Sequence, residues 1–242
     1  MQEIKMTGLT KRYKNLTAVD NLDLEIRKGE VFSLLGINGA GKTTTIKMLT
    51  CLAKPTEGEA FVGGYSIINK AEQVKKLIGV SLQETAVAMN LSVKENLELI
   101  CGIYGFSKEK TKDKIKEFSE KFALDSVLKR KAGKLSGGFQ RRVSIAMALI
   151  SEPEILFLDE PTLGLDVIAR YELWQVINSL KGKVTIVLTT HYMEEAQELS
   201  DRIGIMKKGR LLAVGTVDEL IAVTGEENFE KAFVSIVKEE AL

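Results

Sequence analysis

The sequence predicts an α/β fold that carries an inserted helical subdomain, and three observations support this. Six short apolar runs have the composition of buried strands: 31–35, 58–62, 78–82, 155–158, 184–188 and 202–206. Helical patterns separate the later runs, and strands that alternate with helices predict parallel strands covered on both faces. The stretch 93–150 shows helical spacing without a strand pattern, whereas 3–26 alternates apolar and polar residues in short pieces.

These patterns divide the chain into three parts. Segments 1–83 and 151–224 form the predicted core, a mixed sheet preceded by two or three antiparallel N-terminal strands. Segment 84–150 is the predicted helical subdomain inserted into that core. Segment 225–242 is predicted to be a helix, because its apolar residues recur at helical spacing: Phe229, Phe233, Ile236 and Val237.

The charge balance and the cysteine content argue against several classes of function. The chain has 34 basic and 33 acidic side chains, so nucleic acid is not a predicted partner. Cys51 and Cys101 are isolated, which fits a reducing compartment better than a disulfide or metal framework. The N-terminus lacks a signal-peptide pattern, and the longest apolar runs are far shorter than the ~20 residues that cross a bilayer. Any membrane span is therefore expected on another chain.

The pattern Gly-x-x-x-x-Gly-Lys-Thr at 36–43 is a phosphate loop between a predicted strand and a predicted helix, 41–49. Its glycines let backbone N–H groups converge on phosphate oxygens, and the helix N-terminus adds partial positive charge. Lys42 is the expected partner of the β- and γ-phosphates, and Thr43 is an expected Mg²⁺ ligand. The predicted nucleotide contacts of this segment are Gly36, Asn38, Gly39, Ala40, Gly41, Lys42, Thr43 and Thr44.

Two acids follow the apolar run 155–158. A buried parallel strand delivers Asp159 and Glu160 to the carboxyl edge of the sheet, where ligands bind in open α/β folds. Asp159 is predicted to hold Mg²⁺, and Glu160 is predicted to orient and deprotonate the attacking water. Taken alone, the pair of acids is equally consistent with a turn or a helix cap.

The pattern Leu-Ser-Gly-Gly at 135–138 begins a predicted helix and forms a second anion site. The phosphates of one nucleotide do not need two helix N-termini from the same chain. Two chains packed head to tail would use both, because each chain could offer its second anion site to the nucleotide that the other chain holds. Ser136, Gly137 and Gly138 are therefore expected to contact the γ-phosphate held by another copy. Ser136 is also expected to cap the helix that it begins.

Together, these motifs resemble the ATP-binding subunits of ABC (ATP-binding cassette) transporters, which have a P-loop NTPase fold, over about residues 3–224. The resemblance implies that the chain binds ATP and Mg²⁺, hydrolyses ATP and forms a dimer that closes on two ATP molecules. Lys42, Glu160 and His191 are then the catalytic residues. His191 is the single histidine and bonds the γ-phosphate as a switch.

The resemblance also assigns roles to three isolated residues. Tyr13 is expected to stack on adenine. Gln83 is expected to contact Mg²⁺ or water and to sense the γ-phosphate. Asp166 is expected in a loop that crosses to the partner subunit. Each residue also has a simpler local interpretation. Tyr13 could be a core or surface tyrosine, Gln83 an ordinary polar residue at a strand end, and Asp166 part of a turn that caps the next helix. For His191, the alternative is a structural histidine.

Two positions depart from the family pattern. Phe139 occupies the fifth signature position with Gln140 one place later, and Val167 follows Asp166 where proline is common. Neither departure removes a side chain that is expected to contact phosphate, so the departures concern the subfamily rather than the activity.

Three segments resemble the subunits that pair with ABC-2-type membrane proteins, which are mostly exporters: 91–97 with 103–105, 190–196, and 215–220. This implies a separate ABC-2-type transmembrane chain, a second ATP-binding subunit in a homodimer, and a peripheral location at the cytoplasmic face of the cell membrane. One alternative is a non-transport ABC ATPase of the translation or DNA-repair type, which usually carries two cassettes, long coiled insertions or basic arms. The other is a regulatory module without hydrolysis, which predicts loss of Lys42, Glu160 or His191.

Overall fold

The computed structural model describes residues 2–239. In chain order its strands are β1 (Gln2–Tyr13), β2 (Leu16–Arg27), β3 (Val31–Leu35), β4 (Glu57–Val62), β5 (Tyr65–Ser66), β6 (Ile78–Ser81), β7 (Ile155–Asp159), β8 (Thr185–Thr190), β9 (Arg202–Lys207) and β10 (Arg210–Gly215). Its α-helices are α1 (Lys42–Leu49), α2 (Ala71–Leu77), α3 (Val93–Ile103), α4 (Lys108–Lys121), α5 (Gly137–Leu149), α6 (Val167–Asn178), α7 (Met193–Leu199), α8 (Val217–Thr224) and α9 (Phe229–Glu239).

Two sheets form the core. The N-terminal sheet is antiparallel, with the order β2–β1–β4–β5. The second sheet has the order β10–β9–β3–β8–β7–β6, in which only β10 runs antiparallel to its neighbour. The register pairs Leu35 with Thr190 and Asp159 with Thr189. The ends of β3, β7 and β8 therefore meet at one carboxyl edge.

The parallel sheet is covered on both faces, as its continuous apolar strands predict. Every residue of β3, β7 and β8 is buried. One face, with Phe32 and Phe157, shares an apolar cluster with α1 and the antiparallel sheet. The other face, with Leu156 and Leu188, shares a cluster with α5 and α6. The predicted α/β fold with a mixed sheet and antiparallel N-terminal strands is confirmed.

The described residues between β6 and β7 contain helices and no strand longer than the single bridge Ser92–Lys131. α3 begins in a capping box of Ser92 and Glu95. The end of α5 lies directly on the core, because a Cβ at Gly79 of β6 would stand 2.1 Å from the Ala148 carbonyl oxygen. α5 thus belongs to the helical part at its start and to the core at its end. The boundary 84–150 stays a prediction.

The C-terminal segment packs α8 and α9 onto β9 and β10. Phe229 and Leu220 are buried there in a third apolar cluster, and the Lys207 ammonium donates to the Val237 carbonyl 2.5 Å away. The predicted tail helix is present as α9, although its last predicted residues, 240–242, lie outside the described residues. The sequence patterns did not predict α2, α8, β5 and β10.

Candidate active site

The phosphate loop joins β3 to α1 and depends on two glycines for its shape. A Cβ at Gly36 would lie 2.4 Å from the Met206 carbonyl oxygen. Gly41 directly precedes α1 as its N-cap, with φ 104°, and a Cβ there would lie 2.5 Å from the Ala18 carbonyl oxygen. The Gly209 N–H donates to the Ala40 carbonyl at 3.0 Å, so the β9–β10 turn also holds the loop.

A cleft of about 690 Å³ opens over this loop. It brings together most of the residues that the sequence predicts: Asn38, Gly39, Ala40, Gly41, Lys42, Thr43, Thr44, Gln83, Glu160 and His191. The cleft also has five lining residues that no sequence motif predicted: Leu16, Thr17, Ala18, Leu163 and Lys208. Its size is within the usual range for small-molecule sites.

Glu160 lies at the centre of a polar chain at the floor of the cleft. Its Oε1 is 3.2 Å from the Lys42 ammonium, and its Oε2 is 2.5 Å from Nδ1 of His191. Lys42 and Glu160 are almost fully buried, and the His191 side chain is one quarter exposed. The Lys42 ammonium also donates to the Gly36 carbonyl at 2.7 Å. A carboxylate between a cation and an imidazole is suited to accept a proton from a bound water.

Asp159 lies beneath the cleft and faces the start of α1. The Thr43 hydroxyl donates to Asp159 Oδ1 at 3.1 Å, and the Thr189 hydroxyl donates to the same oxygen at 2.5 Å. Thr189 Oγ1 also accepts the Glu160 N–H at 3.0 Å. Carboxylate and hydroxyl oxygens are the hard ligands that Mg²⁺ prefers, so Thr43 and Asp159 fit the predicted metal. No pattern in the sequence pointed to Thr189, because its role depends on the pairing of β7 with β8.

Other predicted residues lie outside the lining of this cleft. Tyr13 is half exposed at the end of β1, where the Lys11 ammonium stands 4.9 Å from its ring centroid. Gly36 is the first residue of the loop and faces the Met206 carbonyl. Asp166 caps α6, with Oδ1 accepting the Ala169 N–H at 2.9 Å, as the local alternative proposed.

Ser136, Gly137 and Gly138 stand at the start of α5, away from the cleft of their own chain. The expected cap is wrong: Ser136 has N-cap backbone angles, but its side chain makes no cap hydrogen bond. Phe139 occupies the third position of α5, where α3 has the reciprocating Glu95. The exposed Ser136 hydroxyl is therefore available to a partner outside its own helix.

The site geometry agrees with a match to a known family. The family model described as "ABC transporter" matches residues 19–163. The chain belongs to the ABC transporter family. Proteins of this family bind ATP, and Mg²⁺ is the ion that they use with ATP.

Curated relatives and solved structures support this membership. The "Probable multidrug ABC transporter ATP-binding protein YbhF" of Escherichia coli is 39% identical over 240 residues, which cover 97% of this chain and 41% of that protein. The "Daunorubicin resistance ATP-binding protein DrrA3" of Streptomyces coeruleorubidus is 40% identical, with 94% of this chain and 72% of that protein covered. The chain thus spans less than half of the first relative.

Two solved structures show the same cassette. The "Structure of ATP binding subunit of ABC transporter" has a TM-score of 0.87 and 28% identity, and covers 97% of this chain and 99% of that one. A dimeric post-hydrolysis state of the cassette MJ0796 bound to ADP and Pi has a TM-score of 0.80 and 31% identity, and covers 88% and 98%. Within residues 2–239, no helix has both the length and the apolar composition needed to cross a membrane.

Proposed function

We propose that this chain hydrolyses ATP in the cleft and that the cycle drives a separate membrane subunit. The observation that carries the proposal is the buried Glu160 carboxylate, held between Lys42 and His191 directly beneath the phosphate loop. Glu160 acts as the general base, Lys42 binds the β- and γ-phosphates, and His191 orients Glu160 and the γ-phosphate. The regulatory alternative without hydrolysis predicts that one of these residues is missing, and all three are present.

Metal binding belongs to the same site. Thr43 and Asp159 hold Mg²⁺, with Gln83 at the cleft wall as a further contact. When bound, Mg²⁺ neutralises charge that develops on the phosphate oxygens. Thr189 keeps the Asp159 carboxylate in place through its short hydrogen bond. Leu16 and Ala18 supply apolar surface for the nucleoside beside the loop, together with the expected stacking of Tyr13.

A second copy completes the site in this proposal. Ser136 is exposed, and its side chain makes no cap hydrogen bond to its own helix. Two copies packed head to tail bring Ser136 of each to the γ-phosphate of the other, and Asp166 lies in the loop that crosses between them. Loss of the γ-phosphate removes this bridge and opens the dimer. The solved dimeric cassette supports this arrangement.

An apolar groove of about 340 Å³ is suited to the membrane partner. It lies between α3, α5 and β6, with Leu52, Ile100 and Tyr104 among its lining residues. Leu82 also lines it and directly precedes Gln83 of the cleft. A segment of the membrane partner that binds in the groove would therefore contact Leu82, which is the neighbour of Gln83, the proposed γ-phosphate sensor. We infer an ABC-2-type membrane chain and an exporter, and hence a peripheral position at the cytoplasmic membrane face; the drug-resistance relatives support this over a translation or DNA-repair role.

The decisive experiment replaces Glu160 with Gln and measures phosphate release and ATP binding. A lost general base lowers the rate by about 10²- to 10⁴-fold, while ATP affinity is retained and ATP-bound dimers accumulate in size-exclusion chromatography. Glu154→Gln is the matched control, because Glu154 lies just before β7 and is paired with Lys28 far from the cleft. Wild-type turnover in Glu160→Gln would show that the base is wrongly assigned.

A further inference from the structure

One buried arginine ties three backbone carbonyls together beneath the cleft. Arg141 lies on α5, the helix that Ser136 begins, and is 5% exposed. Its Nη1 donates to the Leu82 carbonyl at 2.7 Å, and its Nη2 donates to the carbonyls of Gln83 and Glu160, both at 3.1 Å. The guanidinium thus joins α5 to the segment after β6 and to the residue after β7.

The carbonyl of Glu160 belongs to an unusual backbone. Glu160 has φ 50°, in the left-handed region that residues with a side chain rarely adopt. Such a conformation persists only where surrounding contacts hold it. Here Thr189 accepts the Glu160 N–H through both its hydroxyl and its carbonyl, and Arg141 donates to the Glu160 carbonyl. The peptide groups on both sides of Glu160 are therefore fixed from β8 and from α5.

The charge of Arg141 is also matched to its surroundings. Burial lowers the pKa of its guanidinium, and the carboxylates of Asp159, Glu195 and Glu160 act in the opposite direction. Arginine stays charged in proteins and presents a planar fork of donors, which lysine does not. The Arg141 guanidinium donates its hydrogen bonds to backbone carbonyls. It is therefore better suited to hold the backbone in place than to form an ion pair with a single carboxylate.

We propose that Arg141 is a positioning residue that locks Glu160 and the backbone of Gln83 to α5. Any movement of α5 that accompanies docking of Ser136 is then transmitted to the general base and to the γ-phosphate sensor together. The neighbouring Arg142 has a different role, because its guanidinium bonds Glu172 on α6 and lies over the ring of Phe139. The proposal rests on the base role proposed for Glu160.

The test compares Arg141→Lys and Arg141→Gln in the full chain with the control Arg142→Lys. Lysine keeps the charge but cannot span the three carbonyls, and glutamine keeps two donors without the charge. We expect Arg141→Lys and Arg141→Gln each to lower kcat at least tenfold while the Kd for ATP changes less than twofold. Arg142→Lys should keep kcat within about twofold. Circular dichroism and Tm show which variants fold, and either folded Arg141 variant decides the matter.

A double-mutant cycle separates positioning from general damage. If Arg141 acts through Glu160, Arg141→Lys lowers the residual rate of Glu160→Gln by less than twofold. An equal drop in both backgrounds, or a folded Arg141→Lys variant with kcat within twofold of wild type, overturns the proposal. Wild-type turnover in Glu160→Gln alone refutes the base assignment instead, so the two failures are distinguishable.

Discussion

Thr189→Val removes one buried hydroxyl and leaves the shape of β8 nearly unchanged. The hydroxyl of Thr189 is fully buried, donates to Asp159 Oδ1 at 2.5 Å and accepts the Glu160 N–H at 3.0 Å. Valine has the same branching and β propensity. The Glu160 N–H keeps the Thr189 carbonyl at 3.1 Å as a second acceptor. The main loss is therefore the charge-assisted bond that holds Asp159.

A hydrogen bond to a charged group is worth about 1.5–3 kcal/mol. If Asp159 must keep this orientation in the transition state, the rate falls about 10- to 150-fold, because each 1.36 kcal/mol is a factor of ten. The same loss lowers Tm by about 3–12 °C for a chain of this size. ATP binding through Lys42 should change little, since its contacts are untouched.

The matched control is Thr185→Val on the same strand. Thr185 is 1% exposed, and its hydroxyl accepts the Gly29 N–H at 2.9 Å, remote from the cleft. Both variants should lose stability, measured by thermal unfolding, but only Thr189→Val should lose turnover at saturating ATP and Mg²⁺. A Thr189→Val rate within threefold of wild type, or an equal rate loss in Thr185→Val, would refute the reasoning.

Three further predictions concern single side chains. Ser92→Ala should cost about 1 kcal/mol of stability because Ser92 caps α3, whereas Ser136→Ala should leave Tm unchanged and abolish ATP-dependent dimerisation in size-exclusion chromatography. Lys208→Ala should raise the KM for ATP several-fold with kcat retained, since Lys208 adds positive charge to the cleft wall; an unchanged KM contradicts this. Burial raises the pKa of Glu195, so wild-type stability falls as pH rises through that raised pKa. Glu195→Gln should therefore gain stability relative to wild type in urea unfolding as the pH rises above the ordinary glutamate pKa of 4.5, and a stability difference that does not change with pH excludes the effect.

The elements and contacts that the sequence predicts well are those fixed by local pattern and strand direction. The apolar runs that lead to Lys42, Asp159 and His191 identify buried parallel strands, and parallel strands end at the same edge. Proximity of these side chains follows without knowledge of side-chain packing. The predicted cap at Ser136 is wrong because capping depends on a side-chain rotamer that the sequence pattern does not determine.

The contacts missed from the sequence come from tertiary approach. Ala18 and Gly209 reach the phosphate loop only because β2 and the β9–β10 turn pack against Gly41. No periodicity or motif in the sequence predicts that β2 and the β9–β10 turn pack against the phosphate loop. In the sequence, Arg141 likewise looks like an ordinary basic residue on the helix that follows the Leu-Ser-Gly-Gly motif. Its burial and its three carbonyl partners emerge only when α5 lies across the ends of β6 and β7.

In the proposed mechanism, the ion pair between Lys42 and Glu160 links nucleotide binding to activation of the base. Lys42 is 3.2 Å from Glu160 and is also the expected partner of the β- and γ-phosphates. A triphosphate is the stronger anionic partner, so we expect ATP to draw Lys42 from Glu160 and to leave His191, at 2.5 Å, to orient the carboxylate. Substitutions of Lys42 therefore alter both ATP affinity and the environment of the base. Variants that leave Lys42 in place, such as Thr189→Val, separate positioning of the acids from binding.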